Sequence, residues 1–232
     1  GWWGLDSSFI NPVVAMNSAS TGSILTTSVS GELGEGESQK SMVIWLNWDG
    51  VNTSLSQITS GNGSSWCQYW LANGGKLGWY DPGDGYLYSG AGTIVSGQWH
   101  MAVLTADVDN DTCKLYIDNA LTQTGTNQTS LSTGAQCRGI AGYSGRNWGG
   151  KFASAAYYDK VLTLSEVQSL YALGRFGDMT TVANANLQNW WKFDNVTSVA
   201  DLKGSITITS FTNTVISGET TESVSDNHGV IN

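Results

Sequence analysis

Two stretches of this chain alternate with a period of two and are apolar on both sides. In the first, Met42, Ile44, Leu46 and Trp48 share one face of a strand while Val43, Trp45 and Asn47 share the other. In the second, Trp99, Met101 and Val103 alternate with His100, Ala102 and Leu104. A strand with one wet face carries polar residues at every second position. These two do not, so both are expected to be central strands of packed sheets.

The rest of the chain reads as short strands joined by tight turns. Its 232 residues include 29 glycines, 11 tryptophans and only two prolines, and glycine supplies the positive φ that turns require. Turn clusters at 61–63, 73–75, 81–85, 109–111 and 149–150 separate further strands. These are expected near residues 12–16, 24–28, 55–59, 66–71, 77–80, 85–88, 112–118, 136–142, 150–158, 189–194 and 205–210. The length suits one large all-β domain with a substantial core. One helix is expected. Thr163 caps its start, Glu166 completes a capping box, Val167, Leu170 and Tyr171 form its apolar stripe, and Gly174 ends it. Its expected place is an open end of the sandwich.

Charge narrows the partners. A formal net charge of −9 repels phosphates, so nucleic acid and anionic membranes are not expected partners. No run of eighteen apolar residues suggests a membrane-spanning helix. Only 12% of residues are charged, a surface suited to extracellular or particle-bound proteins. The chain opens at Gly1 without Met, so any leader is expected to be removed or to lie outside it. Cys67, Cys113 and Cys137 lack zinc-site spacing. Cys113 and Cys137 are either buried thiols or, on neighbouring strands, a disulfide.

Four segments occur in a telling order: the strand Trp99 to Asp107, the hairpin Cys113-Lys-Leu-Tyr-Ile-Asp-Asn119, the glycine-bounded strand Gly149 to Asp159, and the helix Leu164 to Tyr171. Together they resemble the second half of a laminin G-like domain of the concanavalin A-like lectin and glucanase superfamily. The resemblance implies an antiparallel two-sheet jelly-roll β-sandwich with one short helix, used mostly for binding. Glucanases of that superfamily carry a Glu-x-Asp-x-x-Glu strand that holds nucleophile and acid on one face. The six glutamates here, at 32, 35, 37, 166, 219 and 222, do not form it. His100 has no nucleophile-acid motif beside it and reads as a structural histidine. No catalytic residues and no enzyme activity are expected.

The helix exit Leu170-Tyr-Ala-Leu-Gly174, the connector 177–186 and Asn189-Trp-Trp-Lys192 resemble laminin G-like proteins of tailed phages. That implies a virion-surface role, as capsid decoration or a tail or fibre component. The expected partners are neighbouring copies in a homo-oligomer or virion lattice, together with host glycans. The alternative is a secreted glycan-binding module of a carbohydrate-active protein, and a more distant one is a glycoside hydrolase or lyase.

Aromatic loops carry the binding idea, because rings stack on the apolar faces of sugars. The segments Trp66-Cys-Gln-Tyr-Trp70, Trp79 to Tyr86 and Tyr143 to Trp148 are rich in rings. The candidate ligand residues are Tyr80, Asp81, Asp84, Tyr86, Arg146, Asn147 and Trp148. Some laminin G-like domains bind calcium at the rim, and Asp107, Asp109 and Asp111 are the candidate ligands here, followed by the loop 81–84. Residue 112 is Thr where an EF-hand needs Gly, so a plain hairpin turn is the competing reading. Five Asn-x-Ser/Thr sequons, at Asn52, Asn62, Asn110, Asn127 and Asn195, match the number that chance supplies in so Asn-, Ser- and Thr-rich a chain.

Asn189-Trp-Trp-Lys-Phe-Asp194 echoes Gly1-Trp-Trp-Gly-Leu-Asp6. Residues 189–210 either return to the main sheet or begin a truncated second repeat. A fragment of that size cannot bury its own tryptophans well, so residues 1–210 are expected to form one domain. Residues 211–232 are then a polar, acidic extension, placed to lie across a neighbouring subunit.

Overall fold

The computed structural model describes residues 10–16, 25–27, 33, 37–51, 55–57, 59–61, 69–72, 74–81, 85–126, 137–140, 148–195, 197–210 and 214–220. In chain order the strands are β1 (Ile10–Met16), β2 (Leu25–Thr27), β3 (Gln39–Trp48), β4 (Leu55–Gln57), β5 (Thr59–Gly61), β6 (Tyr69–Ala72), β7 (Lys76–Asp81) and β8 (Gly85–Tyr88). They continue as β9 (Trp99–Asp107), β10 (Thr112–Ile117), β11 (Ala120–Thr126), β12 (Cys137–Ile140), β13 (Gly150–Tyr158), β14 (Leu187–Lys192), β15 (Ile208–Ser210) and β16 (Thr214–Thr220). Helix α1 (Leu164–Leu173) lies between β13 and β14.

The large sheet runs β11-β10-β9-β3-β13-β1-β16, all antiparallel. One edge of β13 is shared. Phe152 to Gly150 pair with Val14 to Met16 of β1, whereas Ser154 to Tyr158 pair with Lys192 to Leu187 of β14. The change of partner falls at an irregularity in β13, where the Phe193 N–H donates to the Ala153 carbonyl at 3.0 Å. Two shorter sheets, β15-β2-β12-β5 and β4-β6-β7-β8, are linked through β4 and β5, which one residue separates. They form the second layer.

The alternation expected from the sequence is realised on β3. Met42, Ile44, Leu46 and Trp48 join a core with Ala102, Leu104, Leu115, Phe152 and Trp191 of the large sheet and Leu77, Trp79 and Ile208 of the second layer. This is the sandwich interior. Val43 and Trp45 face the opposite way, with Met101, Val103, Ala153, Ala156, Tyr158 and Trp190. Their cover is not a sheet. It consists of Leu162, Val167 and Leu170 around α1, together with Met179, Val182 and Leu187 from the segment leading to β14.

Helix α1 therefore lies on the outer face of the large sheet, which corrects the expectation that it plugs an open end. The stripe Val167, Leu170 and Tyr171 matches the apolar positions that β3 turns outward, and the Trp45 and Tyr171 rings stack with centroids 5.6 Å apart. The capping box forms as read. The Glu166 N–H donates to Thr163 Oγ1 at 3.3 Å, and the Thr163 N–H donates to Glu166 Oε2 at 2.8 Å. Gly174 closes the helix with φ 72° and an N–H bond to the Tyr171 carbonyl.

The end of the chain also departs from expectation. Strand β16 pairs along its whole length with β1, from Thr220 opposite Ile10 to Thr214 opposite Met16. The large sheet thus continues beyond residue 210, where a polar extension is expected. Cys113 is a buried thiol outside any disulfide.

Candidate functional site

A two-layer sandwich has two outer faces, and α1 with its connector covers one of them. The other belongs to the second layer. On β7, Leu77 and Trp79 are fully buried in the sandwich core, so the intervening positions lie on the side away from it. Cross-strand partners share a face. The register aligns Gly78 with Trp70 and Tyr88, Trp70 with Gln57, Lys76 with Ala72, and Tyr80 with Tyr86. Positions 57, 70, 72, 76, 78, 80, 86 and 88 therefore belong to one outer face, rich in aromatic residues.

Gly78 is the floor of this face. A Cβ there would lie 2.1 Å from the Leu87 carbonyl oxygen and 2.4 Å from Tyr88 Cδ1. Only hydrogen fits beneath the half-buried Tyr88 ring. The strand pair is extended by Ser89, whose N–H donates to the Leu77 carbonyl at 2.7 Å and whose Oγ accepts from the Leu77 N–H at 3.0 Å. Gln123 Nε2 donates to the Tyr88 carbonyl at 2.8 Å and ties β8 to β11 of the large sheet. The face is thus braced from behind.

Among the sequence candidates, Tyr80, Asp81 and Tyr86 sit at paired strand positions, Tyr80 opposite Tyr86 and Asp81 opposite Gly85. Asp84, Arg146 and Asn147 lie outside the described residues, as does Trp66. Trp148 is a correction. It is fully buried in the sandwich core and stacked on Phe152 at 5.4 Å, not presented on a rim loop. The cause is the Gly149-Gly150 pair behind it. The Asp49 N–H donates to the Gly149 carbonyl at 3.2 Å, and a Cβ on Gly150 would meet the Asn47 carbonyl at 2.1 Å. The backbone therefore runs tight against β3 and carries the indole inward.

Asp107, Asp109 and Asp111 lie at the turn between β9 and β10, and the loop 82–84 lies outside the described residues. Asp107 accepts from the Asn110 N–H at 3.2 Å and from Asn110 Nδ2 at 2.8 Å, and Asp109 accepts from Ser38 Oγ at 2.9 Å. Asp111 takes the positive φ, 51°, of the turn between β9 and β10. Among the described residues no three His, Cys, Asp or Glu side chains are grouped to hold a metal ion.

His100 has a single consistent protonation pattern. Its Nε2 accepts the Val95 N–H at 3.1 Å, so its proton is on Nδ1, which donates to Asp118 Oδ2 at 3.1 Å. Nε2 thus holds backbone and Nδ1 holds the Asp118 carboxylate, and the ring is buried. Other titratable groups are also structural. Burial lowers the Lys40 ammonium to about 8 against the pull of Glu37. Burial raises the Tyr157 and Tyr158 phenols far above their ordinary value. At Glu166 burial acts upward, but bonds from Lys160 and Thr163 outweigh it and hold the carboxyl below the usual range.

Two features escape the sequence reading. Asp201 gathers five donors, from the Trp190, Lys203, Gly204 and Ile206 backbone and the Asn189 side chain. The Asp-Leu-Lys-Gly segment that signals this turn is visible at 201–204. The Arg175 guanidinium lies over the Trp99 and Phe176 rings, 5.1 and 4.8 Å from their centroids, and no local pattern announces that contact.

The order of strands and the helix on the outer face fit a lectin-type sandwich, and a laminin G family model matches residues 19–168. The chain belongs to the concanavalin A-like lectin/glucanases superfamily. None of the curated proteins matches it. Among solved structures of this fold, it is similar to a candidate carbohydrate binding protein of Bacteroides ovatus, with TM-score 0.63 and 14% identity over 91% of this chain. The chain spans 60% of the length of that protein. A heptameric SAP-like pentraxin from Limulus polyphemus has TM-score 0.56 and 12% identity, covering 93% of this chain and 94% of the pentraxin. The CBM40 of a Ruminococcus gnavus IT-sialidase, bound to α2,3 sialyllactose, has TM-score 0.50 and 16% identity, covering 65% of this chain and 94% of that one. At these identities the likeness is one of fold.

Proposed function

We propose that this lectin-type sandwich is a non-catalytic carbohydrate-recognition module that binds glycans on the outer face of β6, β7 and β8. The observation that carries the reading is the register. Strand positions 70, 78, 80, 86 and 88 share one register, in which the half-buried Tyr88 ring lies against Gly78. Apolar sugar faces stack on aromatic rings, and a site of that kind needs rings on a firm platform more than it needs charge. The carbohydrate-binding proteins of the same fold support this choice of ligand class. The absence of catalysis is supported by the engagement of Asp118, Asp159, Glu166 and Asp201 in holding turns, backbone and the helix cap.

Glycan-array screening followed by calorimetry on the hits tests the reading. Tyr86→Ala and Tyr88→Ala are each expected to lower affinity about tenfold, as for loss of an aromatic contact, with circular dichroism unchanged. Full affinity in both variants would overturn it. A second reading, assembly with neighbouring copies in an oligomer or virion lattice, is favoured by the place of β16 at the end of the large sheet among the described residues, since a terminal strand offers backbone groups for pairing. Light scattering after size exclusion would show a single mass for a monomer and so remove it.

A further inference from the structure

We propose that the glycan bound on this face carries a carboxylate and that Lys76 is the residue that recognises it; the inference rests on the carbohydrate reading above. The strand residues that the register places on the face are Leu55, Gln57, Trp70, Ala72, Lys76, Gly78, Tyr80, Tyr86 and Tyr88. Lys76 is the one charged residue in that set. The chain as a whole carries −9, so a cation at this position runs against its overall charge.

The surroundings of Lys76 leave its ammonium to a ligand. The side chain is half-buried, and among the described residues no carboxylate lies within ion-pair distance of it. Tyr80 follows four positions later on the same strand, about 13 Å away at strand spacing, with the Gly78 floor and the Tyr88 ring between them. That span accommodates a sugar ring stacked near Tyr88 with an acidic substituent directed toward Lys76. Before Lys76 the backbone is held by the following loop, the Gly92 N–H donating to the Gly74 carbonyl at 2.6 Å and the Ile94 N–H to the Gly75 carbonyl at 2.9 Å. A Cβ added at Gly74 would meet nothing within 4 Å, and one at Gly90 would meet only Thr93 Oγ1 at 3.7 Å. A compact ammonium suits one carboxylate oxygen and asks for no planar bidentate partner.

Matched ligand pairs provide the test: sialyllactose with lactose, and tetragalacturonate with its methyl ester, each titrated into the intact protein by calorimetry. Neutral oligosaccharides from the array hits are run alongside. The acidic member of at least one pair is expected to bind about tenfold more tightly. Lys76→Gln is expected to bring that ratio to about one, whereas Lys114→Gln, on β10 of the large sheet, leaves it unchanged. Raising the salt concentration weakens acidic but not neutral binding in the wild-type protein, a readout that holds even if the Lys76 variant folds poorly. Equal or better binding of the neutral member in both pairs overturns the acidic preference while leaving carbohydrate recognition standing. Failure of every glycan, acidic and neutral, overturns both.

Discussion

Replacing Asp201 with alanine removes one carboxylate that holds five donors. Oδ1 accepts the Trp190 N–H at 3.0 Å, the Lys203 N–H at 3.0 Å and the Gly204 N–H at 2.8 Å, and Oδ2 accepts Asn189 Nδ2 and the Ile206 N–H at 3.1 Å. The five do not count equally. Lys203 and Gly204 are exposed, so water replaces the carboxylate there, whereas Asn189 and Trp190 are buried and Ile206 is partly so. A buried donor left without a partner costs about 1–3 kcal/mol. Taking the low end for the three sheltered groups, because the turn can relax, gives a loss of roughly 3–4 kcal/mol. In a domain of this size that is a fall in Tm of roughly 10 °C. Asp201→Asn keeps one acceptor oxygen and the shape but loses the charge, and should fall between the two. Thermal and urea denaturation followed by circular dichroism measure both variants. An Asp201→Ala protein within about 0.5 kcal/mol of wild type, the spread of ordinary surface substitutions, would refute the claim that this carboxylate pins the 199–206 turn to β14.

Gly78→Ala should destabilise by about 1–3 kcal/mol, the range for overpacking, and weaken glycan binding through displacement of Tyr88. Gly90→Ala should be tolerated in the same melts, and equal behaviour of the two would remove the floor argument. Thr163→Ala should cost about 1 kcal/mol through loss of the cap, read as a small fall in Tm with the fold intact. Stability should also vary with alkaline pH in a particular sense. Lys40 titrates at about 8 when folded and at 10.5 when unfolded. Between those values the unfolded chain holds a proton the folded one lacks, so stability rises with pH, by roughly 2 kcal/mol. Tyr157 and Tyr158 act oppositely, since their raised phenols keep protons that the unfolded chain releases above 10.0. Urea midpoints should therefore peak near pH 10, and a steady fall from pH 7 to 10 would contradict the burial of Lys40.

The parts of this fold legible in the sequence were those with strong local patterns. The two-sided strands β3 and β9 declared themselves because both of their faces are buried, and α1 because its cap, stripe and stop occur within a dozen residues. Trp148 misled because a tryptophan next to two glycines reads as loop, while the glycines in fact let the chain pass close to β3. Strand β16 was unreadable for a different reason. Its Thr-Val-Ile-Ser-Gly-Glu-Thr sequence is unremarkable alone, and its partner stands some two hundred positions earlier. The candidate face lay between these cases. Its aromatic residues were visible, but only the pairing of β6, β7 and β8 assigns Tyr80, Tyr86 and Lys76 to one side.

The pairing of β1 with β16 also sets an order of events during synthesis. Among the described residues, one edge of β1 meets β13 through three residue pairs, and the other edge pairs with β16 along its whole length. A chain emerging from the ribosome therefore carries Ile10–Met16 with an unpaired edge until residues 214–220 follow. Contacts so distant in sequence form late and slow the final folding step. A stalled or shortened product would expose that strand, making this seam the place where nascent copies are most prone to pair with one another.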